Sequence, residues 1–250
     1  MKMPSLSDLL RAGVHFGHQK SKRHPGMTSS IYATRNGVSV IDLEATQKQL
    51  EEAAKAAQSL AAQGKTILFI GTKSQAGALV KKFAEACGMP YMHHRWLGGL
   101  LTNFKNVVEV PKKLVDLKMK RDNGDLKKYT KKEQLEFDRE IERLSTSVEG
   151  LQNLTKLPDA VFIVDLKEEK TALTEALQLK IPVFAMCDTN VNPRDITFPI
   201  PSNDDAVKSI ELILTVMSEA IETGRKDADK KAAADAAAAV KAAAVTQTAA

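Results

Sequence analysis

Three short, unbroken apolar runs constrain this chain most: Thr66-Ile67-Leu68-Phe69-Ile70, Ala160-Val161-Phe162-Ile163-Val164 and Pro182-Val183-Phe184-Ala185-Met186. A strand with one face in water alternates apolar and polar residues. A run that is apolar throughout reads instead as a strand covered on both faces, the mark of a buried parallel sheet. Parallel strands need long crossovers, and helical patterns stand where crossovers are required. Residues 44–63 place Leu50, Ala53, Ala54, Ala57, Leu60 and Ala61 at helical spacing and stop at Gly64. Gly71-Thr72-Lys73-Ser74 opens a helix that runs through Cys87 and is stopped by Gly88 and Pro90. Residues 168–179 form a helix between the second and third runs, and a last helix begins near Asn203-Asp204-Asp205, where Asp or Asn can cap it. A further strand candidate, Val38-Ser39-Val40-Ile41-Asp42-Leu43, follows the turn signal Asn36-Gly37. The fold class predicted is α/β, with right-handed crossovers.

Three segments fall outside this rhythm. Residues 1–35 read as an irregular basic arm with one short helix, which Ser7 or Asp8 could cap. The arm carries Lys2, Arg11, Lys20, Lys22, Arg23 and Arg35 against Asp8 alone, and holds His15, His18 and His24. Residues 105–150 are first basic, then acidic, with Asn123-Gly124-Asp125 as a turn between the limbs. They are expected to form two antiparallel helices inserted into, and projecting from, a core of residues 36–104 and 151–224. Residues 225–250 are mostly alanine without a core-facing stripe, so a frayed or disordered tail is expected.

The chain has 250 residues, 43% hydrophobic and 27% charged, which suits one core domain with appendages. A net charge of +5 fits nucleic acid or an acidic surface as partner. Cys87 and Cys187 lie far apart with no C-x-x-C, which argues against a zinc ribbon or disulfide scaffold and favours a reducing compartment. The polar N-terminal segment argues against a signal peptide, and no stretch reaches the length of a membrane span. A cytoplasmic location is expected, with no membrane partner.

Several motifs could carry chemistry. Gly64-Lys65-Thr66 resembles the end of a phosphate-binding loop, but Ser59 stands where the first glycine belongs and the triplet precedes a strand. Gly71-Thr72-Lys73-Ser74 is better placed: helix amides and Lys73 could hold a phosphate, or the segment is a plain connecting turn. Asp165 and Asp188 fall at strand carboxyl ends, where α/β enzymes put catalytic groups. No complete catalytic constellation accompanies them, which favours structural turns. His15-Phe16-Gly17-His18 has a spacing that could serve a metal, and His18 with Asp188 and Asp204 or Asp205 would suit one if the fold brought them together. No cofactor is otherwise expected. Lys20, Lys22 and Arg23, beside Pro25-Gly26, read as phosphate contacts. The run His93-His94-Arg95-Trp96-Leu97-Gly98-Gly99-Leu100-Leu101-Thr102-Asn103-Phe104 holds the only tryptophan and leads into the helical insertion. There Trp96 and Phe104 read as anchors and Gly98-Gly99 as the bend. Arg95, Asn103 and Lys105 are the residues placed to reach RNA.

The motifs together resemble one family. Ala12-Gly13-Val14-His15-Phe16-Gly17-His18, Arg35-Asn36-Gly37 through Ile41-Asp42-Leu43, and Ile70-Gly71-Thr72-Lys73 carry the resemblance. Gly88-Met89-Pro90-Tyr91, His94-Arg95-Trp96-Leu97-Gly98-Gly99 with Leu101-Thr102-Asn103-Phe104, Asp188-Thr189-Asn190, and Ile200-Pro201-Ser202-Asn203-Asp204-Asp205-Ala206 extend it in the same order. Over residues 6–222 the chain is similar to the bacterial second protein of the small ribosomal subunit. That resemblance implies a flavodoxin-like parallel sheet with a helical hairpin and no catalytic activity. It also implies a structural role on small-subunit ribosomal RNA near the head–body junction, among other small-subunit proteins. One of these is the large first protein, which captures messenger RNA and which the family helps to dock. Two departures stand out: Arg23-His24-Pro25-Gly26-Met27 where the family often has Trp-Asn-Pro-Lys-Met, and Ala33 where glycine is common. The RNA-facing residues expected on this reading are Lys20, Lys22, Arg23, Arg35, Lys73, Arg95, Asn103 and Lys105, and no small-molecule substrate is expected. The rival readings are a nucleotide-dependent α/β enzyme using Gly71, Thr72, Asp165 and Asp188, and a free RNA-binding regulator.

Overall fold

A computed structural model describes residues 3–247, without the side chains of Lys127 and 229–247. In chain order the elements are α1 (Leu6–Arg11), β1 (Phe16–Gln19), β2 (Ile31–Arg35), β3 (Val38–Ile41), α2 (Leu43–Ala62) and β4 (Ile67–Ile70). Next come α3 (Gly77–Cys87), β5 (Tyr91–Met92), α4 (Phe104–Val107), α5 (Glu109–Asp122), α6 (Lys131–Val148) and β6 (Ala160–Ile163). The last are α7 (Lys170–Gln178), β7 (Val183–Cys187), β8 (Phe198–Pro201) and α8 (Val207–Gln247).

The three apolar runs become β4, β6 and β7, adjacent strands of a parallel sheet in the order β5-β4-β6-β7-β8. This is the flavodoxin-like order, whose switch point lies between β4 and β6. Alternation along the strands divides their side chains between two cores. Ile67, Phe69, Phe162 and Phe184 face α2, α3 and α8. Leu68, Ile70, Val161, Ile163 and Val183 face α7, the 97–101 segment and the apolar sides of α5 and α6. Each fully buried phenylalanine contributes about 2 kcal/mol by removal from water. Two strands escape a reading by apolar runs. β5 is two residues long, and β8 contains Pro199 and Pro201. Proline cannot donate to a ladder and is tolerated here because β8 is an edge strand.

The helices follow their local signals. Asp42 caps α2 by accepting from the Glu44 amide, and Leu50, Ala53, Ala54, Ala57 and Ala61 form its buried stripe. Gly88, in the left-handed conformation, closes α3. Asn203 Oδ1 accepts from the amides of Asp205 and Ala206 before α8. In α1 the cap is Ser5 rather than Ser7 or Asp8. Asp8 instead completes a reciprocal capping box with Ser5.

The N-terminal segment departs from an irregular arm. β1 and β2 pair antiparallel with β3 to form a separate three-stranded sheet, so Val38–Ile41 belongs to this sheet and not to the parallel one. α5 and α6 pack through Leu114, Leu117, Ile141 and Leu144, with Lys113 and Glu140 paired at 2.7 Å. The alanine-rich segment continues α8 to Gln247 where a disordered tail was the expectation, in keeping with alanine's intrinsic preference for helix. The expectation for residues 248–250, like the charge at Lys2, lies outside the described residues.

Candidate nucleic-acid interface

Four expected contact residues gather at one end of the small sheet. Gln19 and Arg35 both sit opposite Val38, and the Lys20 amide donates to Gly37 O at 2.9 Å. Lys20, the single helical turn Lys20–Lys22, Arg23 and Arg35 therefore crowd around the Asn36-Gly37 turn. Asn36 adopts φ 48°, a conformation asparagine tolerates in such turns. Lys20, Lys22 and Arg35 are exposed and Arg23 is half-buried; none of the four makes an ion pair among the described residues. Thr189 of the β7–β8 connection makes two of the contacts that hold the segment against the parallel sheet. His18 N donates to Thr189 Oγ1 and His24 N to Thr189 O, each at 2.8 Å.

A second group stands on the 93–105 connection. Arg95, Asn103 and Lys105 are exposed, while Trp96, Leu97 and Phe104 pack on the second core. Asn103 also accepts from Asn106 Nδ2 at 2.9 Å. The loop is organised by a residue that the sequence pattern did not single out. Glu175 of α7, 7% exposed, accepts from Trp96 Nε1 at 3.0 Å, Gly99 N at 2.8 Å, Leu101 N at 3.0 Å, and Thr102 N and Oγ1 at 3.1 Å. Burial alone would raise its pKa; the donors outweigh that and hold it below the usual carboxylate range. Gly99 has φ 83°, which a residue with a Cβ reaches only with strain; Gly98 is not in that conformation. A signal for Glu175 did exist, because it shares the stripe of Ala172 and Ala176, where a solvated glutamate does not belong.

Lys73 departs from the expectation. Its ammonium lies 3.0 Å from Asp165, 3.2 Å from Asp204 and 2.6 Å from Asp205. Burial opposes its charge, but these carboxylates outweigh burial and raise its pKa. An ammonium so neutralised has little left for a phosphate. The adjacent turn is also committed, since Thr72 N donates to buried Glu169 at 2.8 Å. Burial raises the Glu169 pKa. α3 itself begins only at Gly77. The strand-end pocket proposed for a nucleotide enzyme, with Gly71, Thr72, Asp165 and Asp188, is thus lined by carboxylates, which repel phosphate.

The fold does bring the four metal candidates together. One ligand atom from each of His18, Asp188, Asp204 and Asp205 lies within 4.8 Å of the others. His18 Nδ1 is 3.0 Å from Asp188 Oδ2, and Nε2 is 3.7 Å from Asp205 Oδ2 and 3.2 Å from Asn190 Nδ2. The adjoining Asp188 carboxylate raises the His18 pKa. Burial, with the charges of Asp165 and Asp188, pushes Asp204 up to about 7. His15 is not part of the group; burial lowers its pKa.

No helix among the described residues is long and apolar enough to cross a membrane. Comparison with known proteins adds the lineage of the chain. The family described as Ribosomal protein S2 matches residues 9–224. A protein named small ribosomal subunit protein uS2 from Campylobacter fetus subsp. fetus is 44% identical over 223 residues, covering 89% of this chain and 86% of its own length. Its counterpart in Campylobacter lari is 45% identical over 89% of this chain and 85% of its own. That of Fusobacterium nucleatum subsp. nucleatum is 45% identical over 90% and 92%. With the family matched from the N-terminal sheet to the body of α8, and the order of strands in agreement, the chain belongs to the ribosomal protein S2 family.

Proposed function

We propose that this protein is a structural constituent of the small ribosomal subunit in the cytoplasm, bound to small-subunit ribosomal RNA near the head–body junction. The observation that carries this reading is family membership over residues 9–224, in a family that is structural and not enzymatic. Two cationic groups support it locally: Lys20, Lys22, Arg23 and Arg35 around the Asn36-Gly37 turn, and Arg95 and Lys105 with Asn103 on the Glu175-tied loop. Cations without internal partners lose no ion pair when they meet phosphate, and each phosphate neutralised releases counterions. Lys73 is left out of this contact set because its charge is spent on Asp165, Asp204 and Asp205.

Other small-subunit proteins, including the large first protein that captures messenger RNA, are the proposed protein partners. An open apolar groove between α1 and the small sheet, lined by Leu6, Leu10, Tyr32, Val40 and Leu43, suits a protein side chain better than a phosphate.

Co-sedimentation of the purified chain with small subunits lacking it tests the reading across a salt series. Binding that weakens steeply as salt rises is expected. Failure to sediment with the subunits at any moderate salt overturns it, and nucleotide turnover by the isolated chain would favour an enzyme instead.

A further inference from the structure

We propose that Asn36-Gly37 is a site of spontaneous covalent modification: in the free chain Asn36 loses ammonia to give aspartate or isoaspartate, which cancels part of the cationic end of the small sheet. The chemical step stands on the free chain alone, and its effect on binding rests on the RNA contact proposed above.

The chain holds two Asn-Gly pairs, Asn36-Gly37 and Asn123-Gly124, and the fold treats them differently. Asn36 and Gly37 are both exposed, at φ 48° and 78°, in the turn that joins β2 to β3 between the paired residues Arg35 and Val38. A tight hairpin turn with both central φ angles positive takes Asn-Gly by preference, so the residues that make the turn are also the reactive ones. Neither the Gly37 amide nor the Asn36 carboxamide has a hydrogen-bond partner among the described residues. Nothing lies within 4 Å of where a Cβ on Gly37 would stand, so no neighbour shields the amide nitrogen.

Asn123 is placed otherwise. It closes α5 in the helical conformation, at φ −73° and ψ −10°. Its amide donates to Met119 O at 2.9 Å, and the Gly124 amide, whose nitrogen would have to attack, donates to Arg121 O at 3.1 Å. This second pair must unwind the end of a helix before it can react.

The reaction is ordinary amide chemistry. The Gly37 amide gives its proton to hydroxide, and its nitrogen attacks Cγ of Asn36. The N–Cγ bond forms, the Cγ–Nδ2 bond breaks, and Nδ2 takes a proton from water and leaves as ammonia. Water then opens the cyclic imide. Breaking the bond from Gly37 N to Cγ leaves aspartate, and breaking the bond from Gly37 N to the Asn36 carbonyl carbon leaves isoaspartate. Lys20, Lys22, Arg23 and Arg35 surround the turn and make no ion pair among the described residues. Their field favours the negative charge that forms on the attacking nitrogen and then on the carboxamide oxygen.

Position gives the change its consequence. Aspartate puts a negative charge where phosphate would bind, in a turn that accepts Asp-Gly as well as Asn-Gly. Isoaspartate carries the backbone through Cβ and Cγ, which lengthens the turn and disturbs the Arg35–Val38 register. A chain that stays unassembled therefore loses affinity for the subunit with time.

The test incubates the full chain in warm, mildly alkaline buffer and follows both Asn-Gly pairs by peptide mass mapping, with isoaspartate counted by an isoaspartate O-methyltransferase. Asn36 should convert about tenfold faster than Asn123, the effect of the two helix-end hydrogen bonds. In urea the two rates should converge. Equal rates in the folded chain, a faster Asn123, or an Asn36 that converts only in urea would each overturn the site. Rates that stay as far apart in urea would trace the difference to local sequence and overturn the structural argument. Asn36→Asp, which keeps the turn and has no ammonia to lose, reads the consequence. Its slope of log affinity against log salt for small subunits should fall by roughly 0.7–0.9, the equivalent of one phosphate contact. An unchanged slope overturns the effect on binding and takes this turn out of the RNA contact, an outcome distinct from a failure of Asn36 to convert.

Discussion

The Glu175 carboxylate accepts the indole N–H of Trp96 at 3.0 Å and thereby fixes the loop that leads from the parallel sheet into α4 and α5. The same carboxylate takes the amides of Gly99, Leu101 and Thr102 and the Thr102 hydroxyl. A single acidic side chain on α7 therefore stands in for the secondary structure that this loop lacks.

Glu175→Gln should destabilise the protein by about 3 kcal/mol. It replaces a charged acceptor by an amide whose NH2 faces donors, leaving buried amides unpaired. Urea unfolding followed by Trp96 fluorescence measures this directly, since the chain has one tryptophan. A loss below about 0.5 kcal/mol, the range of ordinary surface changes, would contradict the role given to Glu175.

The same substitution predicts a pH dependence. Glu175 has a depressed pKa in the folded protein, so its contribution is complete above the ordinary value of 4.5 and is lost as pH falls through the lower folded value. The stability gap between wild type and Glu175→Gln should be constant near neutrality and shrink on acidification below about pH 4.5. Comparing the two proteins cancels the similarly depressed Glu133, Glu149 and Asp205. A gap that stays constant or widens in acid would contradict the assignment.

Gly224→Ala in α8 sets two effects against each other. Alanine is better than glycine in a helix by about 1 kcal/mol. Yet a Cβ at this position would come within 2.3 Å of Gln58 O and 2.9 Å of the Ala61 Cβ, where α2 and α8 touch. Overpacking of this kind costs about 1–3 kcal/mol, and backbone cannot swing aside as a side chain can. Net destabilisation is expected in chemical unfolding, and a gain in stability would show that the two helices are free to separate.

Replacing Lys20, Lys22 and Arg23 together by alanine should reduce the slope of log affinity against log salt for small-subunit binding by about 2–3, at roughly 0.7–0.9 per phosphate contact. Lys113→Ala, which removes a cation already paired with Glu140, should leave the slope nearly unchanged. Equal effects from the two proteins would move the RNA contact away from the Asn36-Gly37 end of the small sheet.

The residues determined the fold class by local means. β4, β6 and β7 were legible because strands buried on both faces leave no polar alternation to confuse with another period, and the stripe of α2 with its stop before Gly64 was equally plain. The ribosomal family was legible too, because its motifs are contiguous in sequence. What the sequence could not determine was convergence. β1, β2 and β3 are four or five residues long, and their pairing rests on register and on contacts with the β7–β8 connection, neither of which a short run encodes. Glu175 shares the buried stripe of Ala172 and Ala176, but its donors come from the 96–102 loop and are supplied only when α7 docks against it. His18, Asp188, Asp204 and Asp205 were only a conditional set in the chain, and Lys73 read as a cation for phosphate. Only the tertiary structure put strand ends and N-terminal segment side by side, because charge compensation acts through space and has no periodicity along the sequence.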